Sequence, residues 1–247
     1  MLQSAYCESK RFLVFEELEE IPFLFHLFTI KQSGPLLLSA NPKLETRTLL
    51  DCLRRSEKVI SLKQRHGNHV HWISEHNSAE VFEGDGLITG VSGRLLIVQT
   101  ADCLPLLLID TRGKLAGILH AGWRGTLANI TGTAIRQMLE RGSAANDLIL
   151  AFGPSIGNCC YEVGPEVVAA FQAQFAEADS FFVARPDRER KFLDLRKANY
   201  AQATRLGLKP NQILWNAYCT QCDSDMFFSY RREGARTGRM FALIGIQ

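Results

Sequence analysis

The chain has 247 residues and a net charge of +2, with 46% apolar and 22% charged residues. These values are ordinary for a globular protein and give no reason to expect nucleic acid or a membrane surface as a partner. The N-terminus lacks a signal-peptide pattern, no apolar stretch is long enough to cross a bilayer, and seven cysteines fit reduced thiols better than a disulfide framework. We therefore expect a cytoplasmic protein.

The first half is expected to contain a short helix and several strands. No internal repeat or long linker interrupts the sequence, so a single domain is predicted over residues 1–247. Thr48 can cap a helix over residues 49–56. Residues 70–73 and 95–100 are rich in β-forming side chains and are predicted to be strands.

The central region predicts a hairpin followed by a helix. Apolar runs at residues 104–110 and 115–120 are separated by four turn-forming residues, which indicates an antiparallel pair. Thr126 can then cap a helix over residues 127–139, and residues 148–152 are predicted to form another strand.

The last third alternates helices with strands. A proline in the first turn opens a predicted helix over residues 165–175, and Asp194 caps a second one over residues 195–206. Residues 213–217 and 240–246 are predicted to be closing strands. Because both hairpins and helical crossovers connect the strands, we expect an α/β (α+β) fold with a mixed sheet rather than a doubly wound parallel one.

Three separate segments place a metal-ligand side chain, His66, Cys103 or His120, beside a predicted strand. Two imidazoles and one thiolate suit Zn²⁺, and three protein ligands leave a fourth position for water or substrate. A zinc ion there would lower the pKa of bound water toward neutrality. Taken singly, each residue is more often structural, and spacing alone does not show whether the three converge.

Other histidines and cysteines leave alternatives open. His69 and His71 share one face of a predicted strand and could themselves hold a metal. His66 is preferred as a ligand because Gly67 beside it permits close backbone approach.

Two cysteine pairs suggest redox or structural-zinc chemistry. Cys159 and Cys160 are adjacent, and Cys219 and Cys222 form the single CxxC of the chain. No second pair is spaced to complete a four-cysteine site, so the favoured interpretation is buried thiols near the active site.

Arginines near predicted strand ends indicate an anion site. Arg231 and Arg232 offer guanidinium forks that match phosphate geometry, and the helix start after Gly125 offers free backbone N–H groups. A surface hairpin decorated with arginines explains the same pattern equally well.

Taken together, these motifs resemble one family, the laccase-domain proteins, also called the multicopper polyphenol oxidoreductase or peptidoglycan editing factor type. The resemblance runs from about residue 64 to the C-terminus in the family's order. Its main stretches are Gln64-Arg65-His66-Gly67, Gly84-Asp85-Gly86, Thr100-Ala101-Asp102-Cys103-Leu104-Pro105, His120-Ala121-Gly122-Trp123-Arg124-Gly125-Thr126, Gly153-Pro154-Ser155-Ile156-Gly157, Cys160-Tyr161-Glu162-Val163 and Ser229-Tyr230-Arg231-Arg232.

The resemblance implies a single domain with mixed β-sheets layered against helices, similar to a toxin deamidase fold. It implies purine nucleoside phosphorylase activity on adenosine, inosine and methylthioadenosine, together with adenosine deaminase activity. The family's zinc ligands fall on His66, Cys103 and His120, and copper is the less favoured ion. Lys31 stands where relatives carry an arginine, which puts the substrate range in doubt because lysine lacks bidentate geometry.

For that activity, we expect phosphate to be held by arginines such as Arg124 or Arg231. Asp102 and Glu162 are the candidate carboxyls for proton relay, and ordinary loop capping would explain both equally well.

Two rival functions use the same residues or the family's older name. In a metal-free cysteine hydrolase, Cys103 would be the nucleophile and His120 the base, which links to peptidoglycan precursor editing. A multicopper oxidase would need roughly ten imidazoles, and the chain has six histidines. The copper oxidase is therefore disfavoured.

Overall fold

The computed structural model describes residues 1–7, 10–33, 50–51 and 55–247. Thr48 and most of the helix predicted over residues 49–56 lie outside the described residues. In the described part, the α-helices of four residues or more are α1 Glu16–Glu19, α2 Trp123–Leu127, α3 Ile130–Leu139, α4 Pro165–Gln174, α5 Leu195–Thr204 and α6 Tyr230–Glu233. The strands there are β1 Leu2–Cys7, β2 Lys10–Phe15, β3 Leu24–Thr29, β4 Lys58–Lys63, β5 Val70–Ile73, β6 Val81–Glu83, β7 Gly86–Thr89, β8 Arg94–Thr100, β9 Leu104–Asp110, β10 Leu115–Ala121, β11 Leu148–Phe152, β12 Phe182–Val183, β13 Phe192–Leu193, β14 Ile213–Leu214 and β15 Met240–Ile246.

The strands form two large mixed sheets, as predicted. The seven-stranded sheet has the order β1-β2-β3-β15-β8-β4-β6, with parallel pairs only at its β8-β4-β6 end. The six-stranded sheet has the order β14-β11-β9-β10-β7-β5, with parallel pairs at both edges and antiparallel pairs in the middle. The fold class expected from the sequence is confirmed.

The two sheets pack face to face, and helices cover the outer face of the six-stranded sheet. Alternation along β8 shows how the sequence sets this: Leu96 and Val98 enter the layer between the sheets, whereas Leu95 and Ile97 enter a smaller cluster on the opposite face. Each such leucine, once buried, stabilises the fold by about 1.5–3 kcal/mol. Helices α3, α4 and α5 pack their apolar residues against β9, β10 and β11.

Several local predictions are confirmed. Strands β9 and β10 form the expected antiparallel hairpin, and the Asp194 carboxylate caps α5 by accepting from the Lys197 backbone N–H at 2.9 Å. The helix predicted over residues 127–139 is wrong in its first turn. Asn129 adopts a left-handed φ of 63° and separates α2 from α3, so Thr126 lies inside α2 instead of capping a helix. The buried Thr126 hydroxyl instead accepts from the Asn199 side chain at 2.9 Å.

None of the helices within residues 1–7, 10–33, 50–51 and 55–247 is both long and apolar enough to span a bilayer.

Candidate metal centre

One end of the six-stranded sheet gathers residues that are far apart in the sequence. The antiparallel pairs set Ala121 at the end of β10 opposite Leu104 at the start of β9, and Leu119 opposite Gly86 at the start of β7. Cys103 therefore lies just before β9, beside the end of β10 where His120 is located. The loop before β5 brings His66 to the same end.

His66, Cys103 and His120 each direct one ligand atom into a cluster in which all these atoms lie within 4.8 Å of one another. The two imidazole rings meet edge to face with centroids 4.8 Å apart. His120 is buried, Cys103 is half-buried and His66 is exposed. The cluster is thus anchored in the core on one side and open to solvent on the other.

The Asp85 side chain links the loop that carries His66 to the His120 ring. Its fully buried carboxylate accepts backbone N–H groups from Arg65, His66 and Gly67 at 2.7–3.2 Å. The Nδ1–H of His120 donates to the same carboxylate at 2.9 Å. Because Nδ1 is committed to Asp85, Nε2 is the nitrogen that His120 can offer to a metal, the usual carboxylate–histidine pairing of metal sites.

The charges in the cluster favour a deprotonated thiol. Burial raises the pKa of Cys103, but the neighbouring His120 and His66 outweigh it and lower the pKa to about 6. Burial lowers the pKa of His120, but Cys103 and Asp85 raise it to about 9. Between about pH 6 and 9, these shifts favour a thiolate–imidazolium pair of Cys103 and His120 in the metal-free protein. The thiolate is the form that binds metals.

The space between the ligands fits a metal ion. A Cβ on Gly122 would lie 3.0 Å from Cys103 Sγ and 3.2 Å from His66 Cδ2, so a side chain there would intrude between the ligands. His66 (φ 60°) and Asp102 (φ 97°) both adopt left-handed backbone conformations, which non-glycine residues rarely do. Such strain clusters at functional sites, and the donor set suits zinc.

The two predicted carboxyls lie in different surroundings. Asp102 is buried, and its two oxygens accept from the Thr220 hydroxyl and the Arg231 backbone N–H, each at 2.6 Å. Glu162 is half-buried, with its carboxylate 3.9 Å from the Arg190 guanidinium. Asp102 therefore has a fixed orientation, whereas the Glu162 carboxyl is held more loosely.

The three predicted cationic anchors differ in exposure and in whether an acidic partner already holds them. Arg231 is exposed, lies over the Tyr161 ring at 5.2 Å and donates to the Glu162 carbonyl at 2.9 Å. Arg124 is exposed and stacks on Trp123 at 4.2 Å. The Lys31 ammonium donates to the Ser224 carbonyl and pairs with Glu233 at 3.3 Å, so binding an anion there would require exchange of that partner.

Sequence reasoning assigned no role to Asp85 or Tyr161. Burial raises the pKa of the Tyr161 phenol, the Cys103 thiolate adds to this, and Arg231 and Arg124 oppose it, which places the phenol among the site's charged groups. The glycines on both sides of Asp85 were the sequence feature that could have indicated a closely packed site there. A Cβ on Gly86 would lie 2.7 Å from side-chain atoms of its neighbours, so close packing there excludes larger residues.

The rings of His69 and His71 contact each other with centroids 4.2 Å apart, and His71 Nε2 bonds to the Glu83 carbonyl at 2.9 Å. Among the described residues, neither histidine belongs to a group of three metal-ligand side chains.

The interpretation of Cys159, Cys160, Cys219 and Cys222 as buried thiols is wrong for Cys159 and Cys222, and the two pairs, which were not expected to combine, lie together. Cys159, Cys160, Cys219 and Cys222 bring their sulfur atoms within 4.8 Å of one another, and both Cys159 and Cys222 are exposed. A parallel bridge between Ser155 and Cys219 joins the two loops, which lie about sixty residues apart in sequence. Local spacing could not reveal this contact.

The fold and the site define a mixed α/β protein with a His-Cys-His cluster at the end of a sheet. The model of the family described as multi-copper polyphenol oxidoreductase laccase matches residues 43–247, and the chain belongs to this family.

Relatives of known name support this assignment. Adenosine deaminase RL5, from an unknown prokaryotic organism, is 36% identical over 193 residues, covering 75% of this chain and 74% of that protein. A purine nucleoside phosphorylase of Deinococcus radiodurans is 39% identical over 181 residues, covering 72% of this chain and 68% of that protein. The crystal structure of the Bacillus licheniformis hypothetical protein YfiH is similar with a TM-score of 0.88 and 26% identity over 98% of each chain.

Proposed function

We propose that this chain is a zinc-dependent purine nucleoside phosphorylase that acts on adenosine, inosine and methylthioadenosine and also deaminates adenosine. The observation that carries the proposal is the cluster of His66, Cys103 and His120 fixed by buried Asp85. The names of the relatives, adenosine deaminase and purine nucleoside phosphorylase, support the reaction class. We place the enzyme, as a single domain, in the cytoplasm, where Cys103 would stay reduced.

His66, Cys103 and His120 would hold the zinc ion, which would supply Lewis acidity and an activated water at the position left open by three ligands. Asp85 keeps His120 in the tautomer that presents Nε2. The solvent-exposed side at His66 gives a nucleoside access to the site.

We assign phosphate binding to the arginines around Tyr161. The Arg231 guanidinium lies over the Tyr161 ring at 5.2 Å, and the charges of Arg231 and Arg124 both lower the pKa of the Tyr161 phenol, against the Cys103 thiolate, which raises it. Guanidinium forks match phosphate oxygens, and Tyr161 would line the nucleoside side. Lys31 remains a predicted secondary anchor.

We assign proton relay to Glu162 in preference to Asp102. Each oxygen of Asp102 already accepts a hydrogen bond at 2.6 Å, which suits positioning more than proton transfer. Glu162→Gln should therefore lower adenosine deamination more than binding, seen as a fall in kcat with little change in KM. Unchanged deamination in both Glu162→Gln and Asp102→Asn would contradict any relay through these carboxyls.

Zinc content and product analysis test the proposal together. Protein purified without added metal or chelator is assayed for zinc and for adenosine products with and without phosphate. Phosphorolysis should release adenine only when phosphate is present, whereas deamination should yield inosine in either buffer. His66→Ala should contain about one zinc ion fewer per chain and lose both products. His76→Ala, in an exposed turn after β5, is the matched control. Absence of both products from zinc-loaded protein would sink the proposal.

A cysteine hydrolase is the second candidate, favoured by the thiolate–imidazolium pair of Cys103 and His120 with Asp85 behind it. Cys103 would attack an amide carbonyl, with peptidoglycan precursors as the substrate class. The C–N bond would break as the His120 imidazolium protonates the departing amine, and water, with His120 as base, would release the acyl group from the sulfur. Alkylation distinguishes the two functions. Inactivation by iodoacetamide despite saturating zinc supports the hydrolase, and protection by zinc supports the phosphorylase.

A further inference from the structure

A second group of sulfur ligands lies in two loops beside the catalytic cluster. Cys159 and Cys160 follow the Gly157 turn, and Cys219 and Cys222 lie in the loop after β14. The Sγ atom of Cys222 is 3.6 Å from that of Cys159 and 3.3 Å from that of Cys160. All four sulfur atoms lie within 4.8 Å of one another.

These distances match a shared metal ion better than a disulfide. Zinc–sulfur bonds of about 2.3 Å in a tetrahedron place neighbouring sulfur atoms about 3.8 Å apart. A disulfide would instead bring one pair to about 2.05 Å and leave the others outside. Cys222 is near Cys159 and Cys160 alike, so the geometry selects no single disulfide pair.

The surrounding groups stabilise a thiolate at Cys219 and place two arginines against the two loops. The Gly157 backbone N–H donates to Cys219 Sγ at 3.3 Å, an interaction that stabilises a thiolate. The Arg185 guanidinium donates to the Cys159 carbonyl at 2.9 Å, and the Arg196 guanidinium donates to the Ser155 carbonyl at 3.3 Å. Four thiolates carry more negative charge than one divalent ion neutralises, and these two cations would offset the excess.

We propose that Cys159, Cys160, Cys219 and Cys222 form a second, structural site for one Zn²⁺ ion, separate from the His66–Cys103–His120 centre. Four thiolates fill the tetrahedral coordination of zinc, as in structural sites, and leave no position for substrate. This site does not depend on the proposed reaction, because it shares no ligand with the catalytic cluster.

The second ion would fasten the two loops that hold Asp102. The Ile156 backbone N–H donates to the Asp102 carbonyl at 2.9 Å, and Thr220, between the two cysteines of the CxxC, donates to the Asp102 carboxylate at 2.6 Å. Asp102 immediately precedes Cys103. Closing the two loops on a metal therefore fixes the backbone next to the catalytic thiol.

Metal content of single-site variants tests the proposal on the full chain. The wild type should contain about two zinc ions per chain, one per site. His66→Ala and Cys222→Ser should each lose one of them. His76→Ala, in an exposed turn after β5, is the control and should keep both. Full zinc content in Cys222→Ser would overturn the second site.

Cobalt absorption shows which site remains filled. The Co²⁺-loaded His66→Ala variant should keep a strong thiolate-to-cobalt charge-transfer band from four sulfur ligands, and Cys222→Ser should lose most of it. The absence of this band from Co²⁺-loaded His66→Ala, or a disulfide among the four cysteines together with no Co²⁺ uptake after reduction, would contradict the proposal.

Alkylation of the intact chain remains informative where cysteine variants do not fold. Zinc should protect the exposed Cys159 and Cys222 from iodoacetamide, and a chelator should restore their labelling, as read by peptide mass spectrometry. Equal labelling with saturating zinc and with chelator would overturn the proposal. Zinc content, cobalt absorption and alkylation are all measured without an activity assay. Failure of the nucleoside assay and failure of the second site are therefore distinguishable.

Discussion

The two ligand clusters differ in what they are made of and in what holds them. The His66–Cys103–His120 cluster combines nitrogen and sulfur at strand ends, and a buried carboxylate orients it. The four-cysteine cluster lies in loops, and the Gly157 backbone N–H donates a hydrogen bond to Cys219 Sγ at 3.3 Å. Three ligands leave a coordination position for chemistry, whereas four close it.

This difference teaches that support, as much as ligand type, separates a reactive centre from a structural one. Strand pairing fixes His120 and Cys103 before any metal binds. The four cysteines depend on two loops coming together, and a metal would supply much of that order. The first cluster is therefore expected to react with substrates and reagents, and the second to stabilise the two loops.

The thiols of the two clusters should react at very different rates in metal-free protein. The pKa of Cys103 is lowered to about 6, whereas burial, with hydrogen bonds to Cys219 and Cys222, raises that of Cys159 to about 12. At pH 7 the larger thiolate fraction, partly offset by weaker nucleophilicity, should make Cys103 react with a disulfide reagent on the order of a hundredfold faster. Peptide mass spectrometry after timed labelling measures both sites.

Exposure alone predicts the opposite order, because Cys159 is exposed and Cys103 is half-buried. Since a depressed thiol pKa keeps the thiolate present above that pKa, the Cys103 rate should hold at pH 8 and fall as the pH drops through about 6. A faster reaction at Cys159 would contradict the proposed difference between the clusters.

Asp85→Asn should weaken metal binding at the first cluster without emptying the second. The amide removes the charge that faces His120 and turns an N–H donor toward backbone N–H groups. Loss of such an outer ligand partner costs about 10–100-fold in metal affinity. Competition with a coloured chelator measures the change.

Asp110→Asn is the matched control for that measurement. Asp110 is also buried on the six-stranded sheet and accepts the Arg112 and Gly113 N–H groups at 2.9 and 2.6 Å. It should lose stability but keep its zinc affinity. Equal affinity losses in the two variants would assign Asp85 to general stability only.

Local sequence patterns predicted several elements whose partners are close in the chain. The β9–β10 hairpin and the Asp194 cap depend on neighbouring residues, and both are present. The strands β1 to β3 gave no prediction, although β1 and β2 pair with each other across a short connection. Strand β3 also pairs with β15, more than two hundred residues away, which no local pattern shows. The left-handed Asn129 between α2 and α3 left no pattern in the hydrophobic periodicity.

The candidate site divides in the same way. Resemblance named His66, Cys103 and His120, and the structure brings them together, but spacing gave no sign of their convergence. Asp85 was missed because a lone acid between glycines is also typical of a turn. The four cysteines were misjudged because a bridge between distant loops, and not CxxC spacing, unites them.

Thr220→Val should loosen the link between the two clusters. The variant loses the 2.6 Å hydrogen bond to the buried Asp102 carboxylate. A hydrogen bond to a charged group contributes about 1.5–3 kcal/mol, so the free energy of unfolding in urea should fall by that amount. Turnover should slow while both zinc ions stay bound. Thr131→Val, which loses a 2.7 Å bond to the neutral Asn199 amide, should cost less and leave turnover unchanged.

Gly122→Ala should disturb the first cluster alone, by the smallest amount. Gly122 has φ −74°, so alanine fits the backbone, but its Cβ would lie 3.0 Å from Cys103 Sγ and 3.2 Å from His66 Cδ2. Pushing these ligands apart costs about 1 kcal/mol, or about fivefold in zinc affinity. In Gly67→Ala the added Cβ would lie 3.7 Å from an Asp85 carboxylate oxygen, an ordinary contact, so this variant should bind zinc normally. The thiolate-to-cobalt absorption of the four-cysteine cluster should stay unchanged in Gly122→Ala. If that absorption fell as far as in Cys222→Ser, the two clusters would be one cooperative unit.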